Sequence, residues 1–368
     1  MKRTIIENPI DLHRALWWAP AGDAIACELC PRACVIRNGE RGFCSARINS
    51  DGVLYAESYG RITVSQLDSV EKKPLFHYMI GANLLSVGSY GCNLDCAFCQ
   101  NHIIARSDEE VPYRELSPEQ LVAEAVEKRV SGIAFTYNEP MIWAEYIICV
   151  SQYARKKGLK IILNTNGYIH GAARDDLIKA VDAMNIDIKG FSNDIYNELC
   201  DGTMRPVLET CEIANREGKH IELSYIMIPG KTDQPDMIGR FGGWVARMLG
   251  TETPVHLMRI HPDRMLQTST VTTDALGAAR MELMSSGLRF VYMGGTGNDF
   301  GRDTICPDCG RTWVERRAVT VEHQTVKGEK VSKHCPSYSD VKVLSRNGIC
   351  PGCGRKTNIV ENPVFENI

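Results

Sequence analysis

The 368 residues predict an α/β fold: a partial (β/α)6 barrel, with a Cys-rich N-terminal extension before it and a C-terminal zinc-ribbon-like module after it. Two observations carry this. Between about residues 81 and 300, short apolar runs alternate with amphipathic stretches, as do strands buried on both faces of a parallel sheet and the helices covering it. In addition, eleven of the fifteen cysteines fall into three tight groups, one in each of the regions 1–80, 81–300 and 301–368.

The strand candidates are LLSVGSY (84–90), GIAFTY (132–137), KIILNTN (160–166), AMNIDIKG (183–190), IELSYIMI (221–228), PVHLMRI (254–260) and RFVYMGG (289–295). The clearest helix starts at Ser117, with Pro118 at its first position and Gln120 completing a capping box. Leu121, Val122, Ala125, Val126 and Val130 form its expected apolar face. In a barrel of this kind chemistry gathers at the carboxyl ends of the strands, so function is expected after residues 90, 137, 166, 189, 228 and 260.

Lys and Arg number 42 against 45 Asp and Glu, which gives no bulk reason to expect nucleic acid or membrane as a partner. The start, MKRTIIENPIDLHRALWW, has no continuous apolar stretch of a secretory kind, and no run is long enough to span a bilayer. A cytoplasmic setting is expected, where clustered thiols mean metal rather than disulfide. Cys149, Cys200 and Cys211 stand alone and read as small core residues.

Cys27, Cys30, Cys34 and Cys44 have the spacing Cys-x2-Cys-x3-Cys-x9-Cys. Four thiolates close a site, so either an auxiliary iron–sulfur cluster or structural zinc is expected, with Arg32 and Arg41 nearby to offset charge. In the C-terminal region, CPDCG (Cys306, Cys309) and CPGCG (Cys350, Cys353) are two knuckles that together make a zinc ribbon; rubredoxin-like iron would use the same sulfurs. VERRAVTVEHQTV is strand-like and extends the ribbon's hairpin, while His334 and Cys335 inside the insert read as bystanders. Residues 302–358 hold eleven Lys or Arg against six Asp or Glu. That mildly basic character suits either RNA or a solvated face, and sparse aromatics argue against base stacking.

The central group is GCNLDCAFCQN, with Cys92, Cys96 and Cys99 in one loop after the first barrel strand. A four-iron cube normally takes four cysteines. Three leave one iron open, as in catalytic metal sites. The spacing alone also admits a structural zinc knuckle or a fourth ligand from elsewhere; the position after strand one favours the open cluster.

The loop resembles the signature of radical SAM enzymes, in the branch that contains glycyl-radical-enzyme activases. CELCPRACVIRNGERGFC, EKKPLFHY, SVGSYGCNLDCAFCQN, TYNEP, NTNGY, NIDIKGF, YIMIPGKTD, IHPD and GNDFGRDTICPDCG follow in order. Together they are similar to the radical SAM member of the AmmeMemoRadiSam system. The resemblance implies a [4Fe–4S] cluster on Cys92, Cys96 and Cys99 whose open iron is chelated by S-adenosylmethionine. One electron into the sulfonium then gives methionine and a 5′-deoxyadenosyl radical that takes hydrogen from a substrate. It implies cofactor contacts at Phe98, Tyr137, Asn138, Glu139, Asn166, Asp187, Lys189 and His261. Glu139 would meet the methionine amino group, Lys189 its carboxylate, and His261 the adenosine. Blander roles exist: Asp187 and Lys189 share a strand face and can pair internally, Glu139 can cap the following helix, and His261 can be an ordinary satisfied histidine. Implied partners are a low-potential electron donor such as flavodoxin or ferredoxin and an unidentified substrate, a protein among the candidates. The chain departs from the activases at Asn164, where they tend to carry Asp, and at Ser224, where they carry Arg. This favours a small-molecule or macromolecule-modifying enzyme over a glycyl-radical activase. An RNA modifier that uses the ribbon is a further alternative. A non-catalytic iron–sulfur carrier is the alternative outside the enzymes, opposed by TYNEP, NTNG and DIK at successive strand ends.

Overall fold

The computed structural model describes residues 12–106, 111–260, 264–266, 268–295, 301–319, 337–345 and 348–360. All seven expected strands form: β2 (Asn83–Gly88), β3 (Gly132–Phe135), β4 (Lys160–Thr165), β5 (Ala183–Ile188), β6 (His220–Met227), β7 (Val255–Arg259) and β8 (Val291–Gly294). They lie parallel and in strict chain order, so successive crossovers step in one direction, and among the described residues the sheet remains open. The far edge is an antiparallel strand, β1 (Val64–Ser69), paired to β2 from Val64–Gly88 to Ser69–Asn83. Its sequence, VSQLDS, is too polar to read as a buried strand.

Strand alternation sorts the side chains. Leu85, Ile133, Leu163, Ile186, Leu223 and Leu257 enter the large core shared with the helices. On the other face, near the strand starts, Leu84, Ala134, Ile162 and Ala183 pack on Val70, Leu75, Tyr78, Met79 and Ala82. The segment 70–82 therefore plugs the foot of the barrel. It is pinned by Glu222, which accepts the backbone N–H groups of Phe76 (2.9 Å) and His77 (2.7 Å) and the side chains of His220 (3.0 Å) and His256 (2.7 Å). Burial opposes this carboxylate's charge, but the two histidine hydrogen bonds hold it well below the usual range.

The helix at Pro118–Glu127 has its capping box, with Ser117 Oγ accepting from Gln120 N at 3.2 Å. Its face is narrower than expected. Leu121, Val122 and Ala125 are buried, but Val126 is 45% exposed, and Val130 lies past the Lys128 C-cap. The chain has already turned at Arg129 (φ +53°), which takes Val130 off the helical period.

The C-terminal strands Thr304–Ile305, Thr312–Val319 and Ser337–Val343 form an antiparallel sheet, so the first part of the expected hairpin is present. Phe76, Ile80, Phe290, Tyr292, Cys306, Trp313, Val314, Cys350 and Ile359 share one apolar cluster, which seats this sheet on the plug. Arg316 reaches through to Phe76 O at 2.6 Å, and His77 joins Tyr292 (2.6 Å) and Asn358 (2.8 Å). At the other end, short strands between His13 and Ala56 make two three-stranded antiparallel sheets. Among the described residues no helix is long and apolar enough to cross a membrane.

Candidate active site

The loop after β2 carries the three central cysteines, and its path is fixed by backbone contacts. Gly91 (φ +89°) turns the chain where no side chain fits: a Cβ there would stand 2.2 Å from Cys44 O. The end of the helix Asn193–Cys200 then takes two of the loop's N–H groups, Asp95 N to Cys200 O (2.9 Å) and Ala97 N to Leu199 O (2.8 Å). Arg106 donates to Leu94 O and Arg264 to Cys96 O (2.8 Å), while Asn101 Nδ2 donates to Tyr137 O (2.7 Å).

Residues from the next three strand ends converge on this loop. Glu139 is buried and accepts from Thr165 Oγ1 (2.5 Å), Asn166 N (2.8 Å) and Met141 N (2.8 Å). The last contact caps the short helix Pro140–Trp143, so the capping role is real. Burial pushes the Glu139 carboxyl up to about 7 despite these donors. Asn138 ties Ser89 N (2.9 Å) to Gly91 O (3.1 Å) and acts on the loop's backbone. Asn166 Nδ2 lies 2.9 Å from Asn93 Oδ1 and 3.7 Å from Cys92 Sγ. Lys189 Nζ and Asp187 Oδ2 form the internal ion pair, at 2.6 Å. Phe98 is buried in the core beneath the loop. Tyr137 (φ +74°) behaves differently from the rest: its phenol donates to Asp68 of β1 at 2.9 Å, so its backbone rather than its ring meets the loop. His261, with His334 and Cys335, falls outside the described residues.

Burial raises the thiols of Cys92 and Cys99; for Cys96 a hydrogen bond with Cys200 leads and burial follows. Lys189 opposes the rise at Cys96 and Cys99. Such thiols ionise when a metal takes them. Among the described residues, the one group of potential ligands whose atoms all lie within 4.8 Å is Cys306, Cys309, Cys350 and Cys353. The three central sulfurs do not form such a group.

Sequence reasoning missed Asn93, Cys200, Arg264 and the Gly91–Cys44 contact. Cys200 is core-buried as expected, but it also stands beside Cys96. Only the glycine before the first cysteine carried a local signal.

An uncharacterized protein of Methanocaldococcus jannaschii is 40% identical over 310 residues, which cover 83% of this chain and 92% of that protein. Residues 86–241 match the Radical SAM superfamily. The chain belongs to the radical SAM superfamily. It is a radical SAM enzyme, of a class that uses a [4Fe–4S] cluster and S-adenosylmethionine. The pyruvate formate-lyase 1-activating enzyme of Escherichia coli is 23% identical over 179 residues, 46% of this chain and 71% of that one. A solved radical SAM methyltransferase from Sphaerobacter thermophilus overlays with a TM-score of 0.47 at 15% identity, covering 63% of this chain and 70% of that one.

Proposed function

We propose that Cys92, Cys96 and Cys99 hold the [4Fe–4S] cluster of this radical SAM enzyme, and that it abstracts hydrogen from a substrate other than a glycyl-radical enzyme. The observation that carries the reading is one loop of three thiols at the carboxyl end of β2, faced by Glu139, Asn166 and Lys189 from the next strand ends. When bound, the cluster supplies the single electron that splits S-adenosylmethionine into methionine and a 5′-deoxyadenosyl radical. The protein's own part is orientation. Glu139 receives the methionine ammonium, its carboxylate already aimed by Thr165 and Asn166 N. Lys189 turns from Asp187 to the methionine carboxylate, which leaves Asp187 free to accept from hydroxyl groups. Asn166 donates towards Cys92 Sγ and steadies that ligand.

Asn164 and Ser224 support the choice against the activases. Both donate to Asn185 Oδ1 (3.1 and 2.8 Å), and Asn185 Nδ2 closes on Pro74 O (2.8 Å). Inside this barrel a neutral, hydrogen-bonded network stands where the activases tend to carry Asp and carry Arg. The reading implies a reducing, cytoplasmic setting, a low-potential donor such as flavodoxin or ferredoxin, and zinc on the C-terminal cysteines. The test is anaerobic reconstitution with iron and sulfide, followed by reduction with S-adenosylmethionine present. Formation of 5′-deoxyadenosine, lost in Cys96→Ala, is expected; a fully reconstituted protein that forms none sinks the proposal.

A further inference from the structure

The outermost strand of the barrel sheet borders a groove of about 530 Å³. The run Ile62–Leu67 lines it along one continuous stretch of chain, together with Tyr113, Arg114, Glu124 and Lys128. Leu67 is 57% exposed there and Tyr113 36%. A run of that length in extended form measures about 20 Å, the scale of a strand rather than of a small molecule.

The strand in question, β1, pairs with β2 on one side and ends its sheet. Among the described residues, the backbone groups of Val64–Leu67 that face away from β2 meet no backbone partner. Ser337–Val343 comes near β1, but among the described residues it pairs only with Thr312–Val319. Natural edge strands are commonly guarded by Lys or Pro. Val64–Leu67 reads VSQL and has neither, and the next residue, Asp68, is buried in its contacts with Lys73 and Tyr137. An edge of this kind is a template for an added strand.

Charge selects the occupant. Arg114 and Lys128 share the carboxylate of Glu124, at 2.8 and 3.9 Å, so the groove keeps an excess positive charge. A second copy joined edge to edge would bring its own Arg114 and Lys128 to the same seam, which opposes self-pairing. An acidic side chain on a foreign strand is complementary instead. The groove also leads to the mouth of the barrel. Val64 pairs with Gly88, the last residue of β2. Thr63 Oγ1 donates to Ser89 O (2.7 Å), and Arg61 donates to the hydroxyl of Tyr90 (3.0 Å), two residues before Cys92. A segment laid from Leu67 towards Thr63 therefore runs to the end of the sheet that carries the loop of three thiols.

We propose that this groove seats an extended segment of a polypeptide substrate, added to the sheet beside β1 with an acidic side chain against Arg114 and Lys128. This names the substrate class of the proposed enzyme and rests on that reading. Backbone hydrogen bonds along β1 hold the segment, and the two cations set its register.

The test uses the full chain, reconstituted with iron and sulfide under anaerobic conditions. The probe is a capped, fluorescein-labelled octapeptide in which valine alternates with threonine and one central position is glutamate. Its anisotropy should report binding that weakens at least about tenfold when the glutamate becomes lysine, and that disappears when alternate backbone nitrogens are methylated. Hydrogen exchange of the Val64–Leu67 amides should slow when the glutamate peptide is present. Leu67→Lys, which guards the edge at an exposed position, should weaken binding by a similar factor. Lys128→Glu should reverse the preference between the glutamate and lysine peptides. Both variants should form 5′-deoxyadenosine without peptide at the parent's rate. Equal binding of the three peptides, unchanged exchange at Val64–Leu67, or unaltered affinity in Leu67→Lys would overturn the proposal. A dimer of the chain that Leu67→Lys dissociates would assign the edge to a second copy and overturn it as well. Peptide binding as expected, in a sample that forms no 5′-deoxyadenosine, would support the groove and count against the proposed function instead.

Discussion

At the foot of the barrel four cysteines converge, with Cys306 and Cys353 at 3.6 Å and Cys309 and Cys350 at 3.6 Å. At its mouth Cys92, Cys96 and Cys99 stand apart in a loop held by contacts from Cys44, Cys200, Arg106 and Arg264. The foot is finished by its own two knuckles, each with its hairpin strand or turn, and needs no further protein ligand. The mouth is framed by distant parts of the chain, as the cluster with one open position proposed for it would require. The foot is thus closed by ligands near one another in the sheet, whereas the mouth is positioned by contacts from several elements.

Removing one ligand at each end breaks this comparison most directly. Cys96→Ala should abolish 5′-deoxyadenosine formation, several orders of magnitude below the parent, while the metal at the foot stays bound; chromatography and zinc analysis read the two. Cys350→Ser should do the reverse, releasing the C-terminal metal and lowering the unfolding free energy by several kcal/mol, because Cys350 also belongs to the apolar cluster beneath the barrel.

Smaller effects sharpen the contrast through pH. Burial pushes His77 down to about 4, from an ordinary 6.5. Its contribution to stability is present above 6.5 and is lost as pH falls towards 4, by up to about 3 kcal/mol. Urea unfolding should show this slope in the parent and lose it in His77→Gln. At the mouth, Glu139 must be ionised to receive an ammonium, so affinity for S-adenosylmethionine should rise as pH passes upward through about 7. Calorimetry of Glu139→Gln should show ~10- to 100-fold weaker binding and a flat profile. The smallest effect is expected at Cys200→Ser, which should keep the parent's iron content although Cys200 adjoins Cys96. Loss of iron there would mean a fourth thiol at the mouth and would dissolve the distinction between the two ends.

The seven parallel strands were legible because each is a short apolar run buried on both faces, and β1 was not, because an edge strand with exposed Gln66 and Leu67 has no such pattern. The cysteine groups could be read from local spacing, and the i,i+2 rule put Asp187 and Lys189 on one face, where they pair. Which sulfurs converge could not be read, because the framing contacts join residues far apart in sequence. Gly91 meets Cys44, Asn93 meets Asn166, and Arg264 meets Cys96 only once the chain has folded.

Tyr137 links the two ends in one residue. Its carbonyl is gripped by Asn101, two positions after Cys99, while its phenol hangs from Asp68, which Lys72 and Lys73 also hold. It acts as a tie-rod between the outermost strand and the loop of three thiols. Among the described residues that strand is the last of its sheet, so a displacement of it would be passed through Tyr137 to the loop of three thiols.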